Sequence, residues 1–188
     1  MAIRPIVITG DPVLHSVARE VTVFDDELRS LVADMYETMD LAPGVGLAAP
    51  QVGVPLRVFV YDYLDRDGVH HRGEAINPEL LITPPPIGEA DEDTESEGCL
   101  SVPGERYPLR RAERAVLTAV DLSGTPYSLD VDGWFARIFQ HEFDHLNGVL
   151  YVDRLDFLHH RKATKAIVKS GWGKPGGSWL PGVDDLEG

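Results

Sequence analysis

The sequence predicts an α+β domain in which mostly antiparallel sheets pack around one central helix. Three observations lead there. Strand-type segments follow one another at Leu56 to Tyr61, Glu74 to Ile82, Ala115 to Leu122 and Tyr127 to Val131. A single helical pattern closes that run, from about Gly133 to the Asn147-Gly148 stop. The whole chain has 188 residues, a length that suits one domain with its own core.

Each element has a local cause. Ile3 to Ile8 is extended and ends at the turn Gly10-Asp11-Pro12. Leu28, Leu31, Val32, Met35 and Met39 then recur at helical spacing behind the capping candidates Asp25 and Asp26, so this helix turns an apolar face to the core. A turn-rich stretch, Ala42 to Gln51, precedes the first long strand, which Pro55 introduces. The polar segments Asp62 to Gly73 and Thr83 to Ser96 read as surface connections, the second carrying Pro84-Pro85-Pro86 and an acidic run. Asp132 is placed to cap the central helix, whose inward stripe carries Phe135, Ile138, Glu142 and His145, with His141 beside it. Leu155 to Val168 reads as a further helix. Residues 1–170 thus form the single domain, and 171–188, rich in glycine and proline, form a loose C-terminal tail.

Composition narrows the function. Hydrophobic residues make up 43% and charged residues 26%, as in ordinary folded proteins. A formal net charge of −14 opposes binding to phosphate backbones, so no specific DNA binding is expected. Cys99 is the one cysteine, which rules out an intramolecular disulfide and fits a reducing cytoplasm. Pro5, Gly10 and Pro12 interrupt the N-terminus before a signal-type apolar core develops, and no run is apolar enough to span a membrane. A cytoplasmic protein without membrane attachment is the expectation.

His141-Glu142-Phe143-Asp144-His145 fits H-E-x-x-H. Residues four apart stand one turn above each other on one helix face, so both imidazoles can grip one metal ion. Glu142 lies beside them, free to take a proton from activated water and deliver it to a leaving amine. The bare motif also arises by chance. Here Ile138, Phe139 and Leu146 set it inside an apolar helix, where unpaired histidine and glutamate would be costly and ligation would offset the cost. The central helix is then a metal-binding helix.

A catalytic metal commonly keeps three protein ligands and one open position. The extended pattern H-E-x-x-H-x-x-G-x-x-H is matched through Gly148, but Tyr151 stands where its last histidine belongs. His15, His70 and His71 fall in or near expected loops, and His159 and His160 fall on a basic surface helix. Cys99, in Glu97-Gly98-Cys99-Leu100-Ser101, offers the strongest anionic donor, next to an amide that Leu100 can expose. A lone cysteine also reads as a small buried hydrophobe.

Three segments taken together decide between these. Gly44 to Gln51 (GVGLAAPQ), Glu97 to Ser101 (EGCLS) and Gln140 to Leu146 (QHEFDHL) resemble the three signature motifs of peptide deformylases, in that family's order. The resemblance implies hydrolysis of the formyl group from N-formylmethionyl peptides, with release of formate. It implies Cys99, His141 and His145 as ligands to one divalent ion, iron(II) in native enzymes, with zinc or another divalent metal able to replace it. It implies Glu142 as the proton carrier, and Gln51 and the Leu100 amide as donors to the oxyanion. The backbone around Gly46 would pair with an extended substrate, and Val45, Ile138 and the stem of Arg106 would line the methionine pocket. Transient association with the ribosome or nascent chain is expected, with Arg161 to Lys169 as the locally basic place to look. Two other chemistries use the same residues. Cys99 can act as a nucleophile with a histidine base, or the three ligands can hold a purely structural ion.

Overall fold

The computed structural model describes residues 2–184 and 186. Its elements are β1 (Ile6–Val7), α1 (Asp26–Leu41), β2 (Gly46–Ala48), β3 (Val58–Leu64), β4 (His70–Ile82), β5 (Ser96–Cys99), β6 (Val102–Pro108), β7 (Arg114–Val120), β8 (Pro126–Asp132), α2 (Gly133–Leu146), α3 (Phe157–Lys169) and β9 (Ser178–Trp179). Short 3-10 turns at Pro12–His15, Ala49–Val52 and Tyr151–Arg154 join them. Five strands form one sheet in the order β2-β3-β4-β7-β8, every neighbour antiparallel. Two smaller antiparallel pairs, β5-β6 and β1-β9, complete the α+β architecture.

Helix α1 begins where expected. The Asp25 carboxylate accepts the Leu28 N–H at 3.0 Å, and Asp26 and Glu27 favour the positive end of the helix dipole. Its Leu28, Leu31, Val32, Met35 and Met39 are buried with Val58, Val60 and Ile76 of the sheet. Helix α2 packs on the large sheet through Phe135, Ile138 and Phe139, which share a core with Phe59, Tyr61 and Leu117. Asp132 occupies its N-cap position, but its side chain makes no capping bond. The chain enters the helix instead through Gly133 at φ +55°, a conformation glycine adopts without strain.

Two expectations are corrected, and one hairpin is added to them. Asp62 to Gly73 is mostly not a loop: β3 runs on to Leu64 and β4 starts at His70, in register Leu64↔His70 to Asp62↔Arg72. Its polar residues sit in a solvent-facing hairpin, where alternation carries little hydrophobic signal. The β5-β6 hairpin leaves little trace in the sequence because Gly98, Gly104 and charged residues fill it. Finally, the segment after residue 170 is not loose through Trp179. Ser178 and Trp179 pair with β1, and the Trp179 side chain lies in the core, where burial of its large apolar surface offsets part of the cost of ordering the glycine-rich flanks. Among the described residues, no helix is long and apolar enough to cross a membrane.

Candidate metal centre

His141 and His145 stand one turn apart on α2, with ring centroids 5.0 Å apart. The β5-β6 hairpin brings the third donor. Cys99 ends β5 beside a register shift at Gly98, and its Sγ lies 3.3 Å from His145 Nε2. One donor atom from each of Cys99, His141 and His145 lies within 4.8 Å of the others. The spacing in α2 thus follows from the helix period, whereas Cys99 arrives only through the fold.

A buried ionic network sets the His141 ring. Glu97 Oε2 sits 3.1 Å from His141 Nδ1 and accepts Arg111 Nη2–H at 3.0 Å. Its Oε1 accepts from Arg111 Nε at 2.9 Å and Arg137 Nη1 at 2.7 Å. Arg111 also donates to Asp144 Oδ2 at 2.6 Å, and Arg154 holds the same carboxylate with two bonds of 2.6 Å. Burial would raise the Glu97 pKa, but the bond with His141 and the charge and bonds of Arg111 outweigh it and hold the carboxyl well below its usual range. A permanent carboxylate behind Nδ1 leaves Nε2 as the atom aimed at a ligand. Sequence reasoning gave Glu97, Arg111 and Arg137 no role; for Glu97 the signal was its place directly before Gly98-Cys99.

Gln51 is 1% exposed. Its Oε1 accepts the Ala48 N–H at 2.8 Å, which turns its amide NH₂ toward Cys99 Sγ (3.7 Å) and Ser101 Oγ (3.5 Å). Glu142 is buried, and its Oε2 has no hydrogen-bond partner. Burial pushes its pKa up to about 7, against the lowering effect of His141. Gly46 is required beside it, because a Cβ there would overlap the Glu142 carboxylate. The glycine therefore makes room for the acid, a role distinct from the backbone approach expected of it.

A cavity of about 260 Å³ opens onto these groups. Val45, Gly46, Gln51, Cys99, Leu100, Arg106, Ile138, His141 and Glu142 all line it, while His145 is buried behind them. Tyr63 and Trp134 extend the wall and had not been expected there. A larger cavity of about 720 Å³ shares Trp134 and is lined by none of the three candidate ligands. His15, His70, His71, His159 and His160 are absent from the cluster.

The donor set suits a cation. Burial lowers the pKa of both histidines, and at His145 it prevails, leaving a neutral ring. At His141 the bonds with Cys99 and Glu97 overcome burial and raise the pKa well above its ordinary value. One sulfur and two imidazoles, with His141 13% exposed to the cavity, fit a three-ligand catalytic metal with an accessible face.

A family model for polypeptide deformylase matches residues 3–161. The chain is 50% identical to peptide deformylase 2 of Corynebacterium efficiens, over 98% of this chain and 96% of that one. It is 51% identical to a peptide deformylase of Mycolicibacterium paratuberculosis, over 97% of this chain and 96% of that one. Among solved structures, the peptide deformylase of Legionella pneumophila superposes with a TM-score of 0.76 at 39% identity, covering 90% of this chain and 96% of that one. That of Ehrlichia chaffeensis in complex with actinonin gives 0.79 at 34% identity, covering 90% and 98%. With its H-E-x-x-H helix and Cys99 hairpin in one site, the chain belongs to the polypeptide deformylase family of metal-dependent hydrolases.

Proposed function

We propose that this protein removes the formyl group from the N-formylmethionine of newly synthesised proteins in the cytoplasm, releasing formate and a free amine. The observation that carries this is the meeting of three candidate metal donors with an unpartnered buried carboxylate, Cys99, His141 and Glu142 facing one cavity and His145 lying behind them. Cys99, His141 and His145 hold one divalent ion, iron(II) in the native enzyme, with zinc or another divalent metal as a substitute. When bound, the ion supplies Lewis acidity and makes water nucleophilic near neutral pH.

The chain's own residues do the rest. Val45, Ile138 and the stem of Arg106 enclose the methionine side chain, and the backbone at Gly46 aligns the peptide. Glu142 accepts a proton from the attacking water and passes it to the departing nitrogen, a task suited to a carboxyl that titrates near 7. Gln51 Nε2 and the Leu100 N–H donate to the oxygen on which charge develops, and Gln51 is already held for this by Ala48. Because formyl groups are met on nascent chains, brief association with the ribosome follows, and Arg161, Lys162, Lys165 and Lys169 on α3 are the candidate contacts.

The test is formate release from a formylmethionyl peptide by anaerobically purified protein. One formate per free amine is expected, with loss of turnover on chelation and recovery on adding iron(II). Full turnover by protein shown to hold no metal would point instead to Cys99 as a nucleophile and end this reading.

A further inference from the structure

Leu100 and Ser101 form the turn of the β5-β6 hairpin, directly after Cys99. The termini tie both turn carbonyls down. Leu100 O accepts the indole Nε1–H of Trp179 at 2.8 Å, and Ser101 O accepts the Thr9 N–H at 2.8 Å. The tie is rigid at its far end. Ile6 pairs with Trp179, Ile8 N–H donates to Gly177 O at 2.9 Å, and Gly173 N–H donates to Thr9 O at 2.9 Å. At Gly10, a Cβ would overlap the backbone of Gly173 and Lys174, so the two terminal segments touch where only glycine fits. Trp179 is 3% exposed, and its N–H would be a buried unsatisfied donor without the Leu100 carbonyl.

We propose that Trp179 is a positioning residue for the reaction, holding the Leu100 backbone so that its amide stays aimed at the reacting oxygen. The inference rests on the reading of that amide as an oxyanion donor. Such donors are effective only when fixed in advance, and a turn residue has little to fix it. Pairing of Cys99 with Val102 anchors one side of Leu100, and the indole anchors the other. The anchor lies outside residues 3–161, which the family model matches.

Replacing Trp179 by Phe in the metal-loaded enzyme removes the donor and keeps an aromatic ring. We expect metal content close to that of the unaltered protein, a Tm lowered by a few degrees, an unchanged KM, and, well below that Tm, a kcat about tenfold lower, as for a modest misplacement of a catalytic donor. If Trp179→Phe folds poorly, benzothienylalanine incorporated at 179 preserves the shape and still lacks the N–H, and the same kcat loss is expected. An unchanged kcat in a folded variant overturns the inference. So does a loss that merely follows metal content or Tm, which would make Trp179 structural only. If the unaltered protein releases no formate, the activity itself is refuted, an outcome distinct from a failure at Trp179.

Discussion

Helix α2 borders two buried polar groups that are finished in opposite ways. Asp144 and Glu97 are each held by two arginines, and every oxygen of theirs is bonded. Two residues before Asp144, Glu142 Oε2 has no partner, and neither has His145 Nδ1; Arg110 Nε is the only other such buried side-chain atom among the described residues. Native interiors rarely tolerate unsatisfied groups. The satisfied cluster is closed to further partners, whereas Glu142 Oε2 is left free to bond.

Substitutions on each side should break this contrast differently. The largest effect belongs to Glu142→Gln: metal content and fold should persist while kcat falls by about 10³-fold or more, the range for loss of a general acid-base. Retained turnover, or loss of the metal, would remove Glu142 from the role assigned to it. Arg111→Met should act on stability, by about 3 kcal/mol in urea unfolding, because it removes from each of two buried carboxylates one of the two arginines that hold it. A smaller change would mean the network does not carry stability as described. Gly46→Ala should lower kcat about 10²-fold by displacing Glu142, with Tm little altered; an unaffected kcat would show that the carboxylate can move without cost.

The smallest effect comes from a satisfied pair away from the site, Arg4 with Asp34 of α1, 2.9 Å apart. Burial would raise the Asp34 pKa, but the Ala2 N–H and Arg4 outweigh it, and the net shift is downward. A depressed folded pKa gives stability that is present above the unfolded value, about 3.9, and lost as pH falls through the folded one. The stability gap between the unaltered protein and Asp34→Asn should therefore be full at neutral pH and shrink below about pH 4. A gap that widens on acidification would reverse the sign of this linkage.

What could be read in advance depended on the range of the interaction. Helix α1 and the His141, Glu142 and His145 face of α2 were legible because helical period and capping are local. Cys99 was legible as a candidate ligand only through the motif around it, since nothing local says that a hairpin delivers it to α2. Glu97, Arg111 and Asp144 meet across 14 and 33 positions, and such pairings leave no periodic trace. Trp179 was hidden by the glycines and prolines around it, which obscured one large side chain with a long-range partner.

The central claim is that one ion sits on a sulfur and two ring nitrogens with Glu142 outside its coordination. X-ray absorption at the metal edge of anaerobically purified protein, with elemental analysis, tests it most directly. One ion per chain with one sulfur and two imidazole neighbours is expected, unchanged in Glu142→Gln and stripped of sulfur in Cys99→Ser. A spectrum without sulfur in the unaltered protein, or no bound ion at all, would contradict the account.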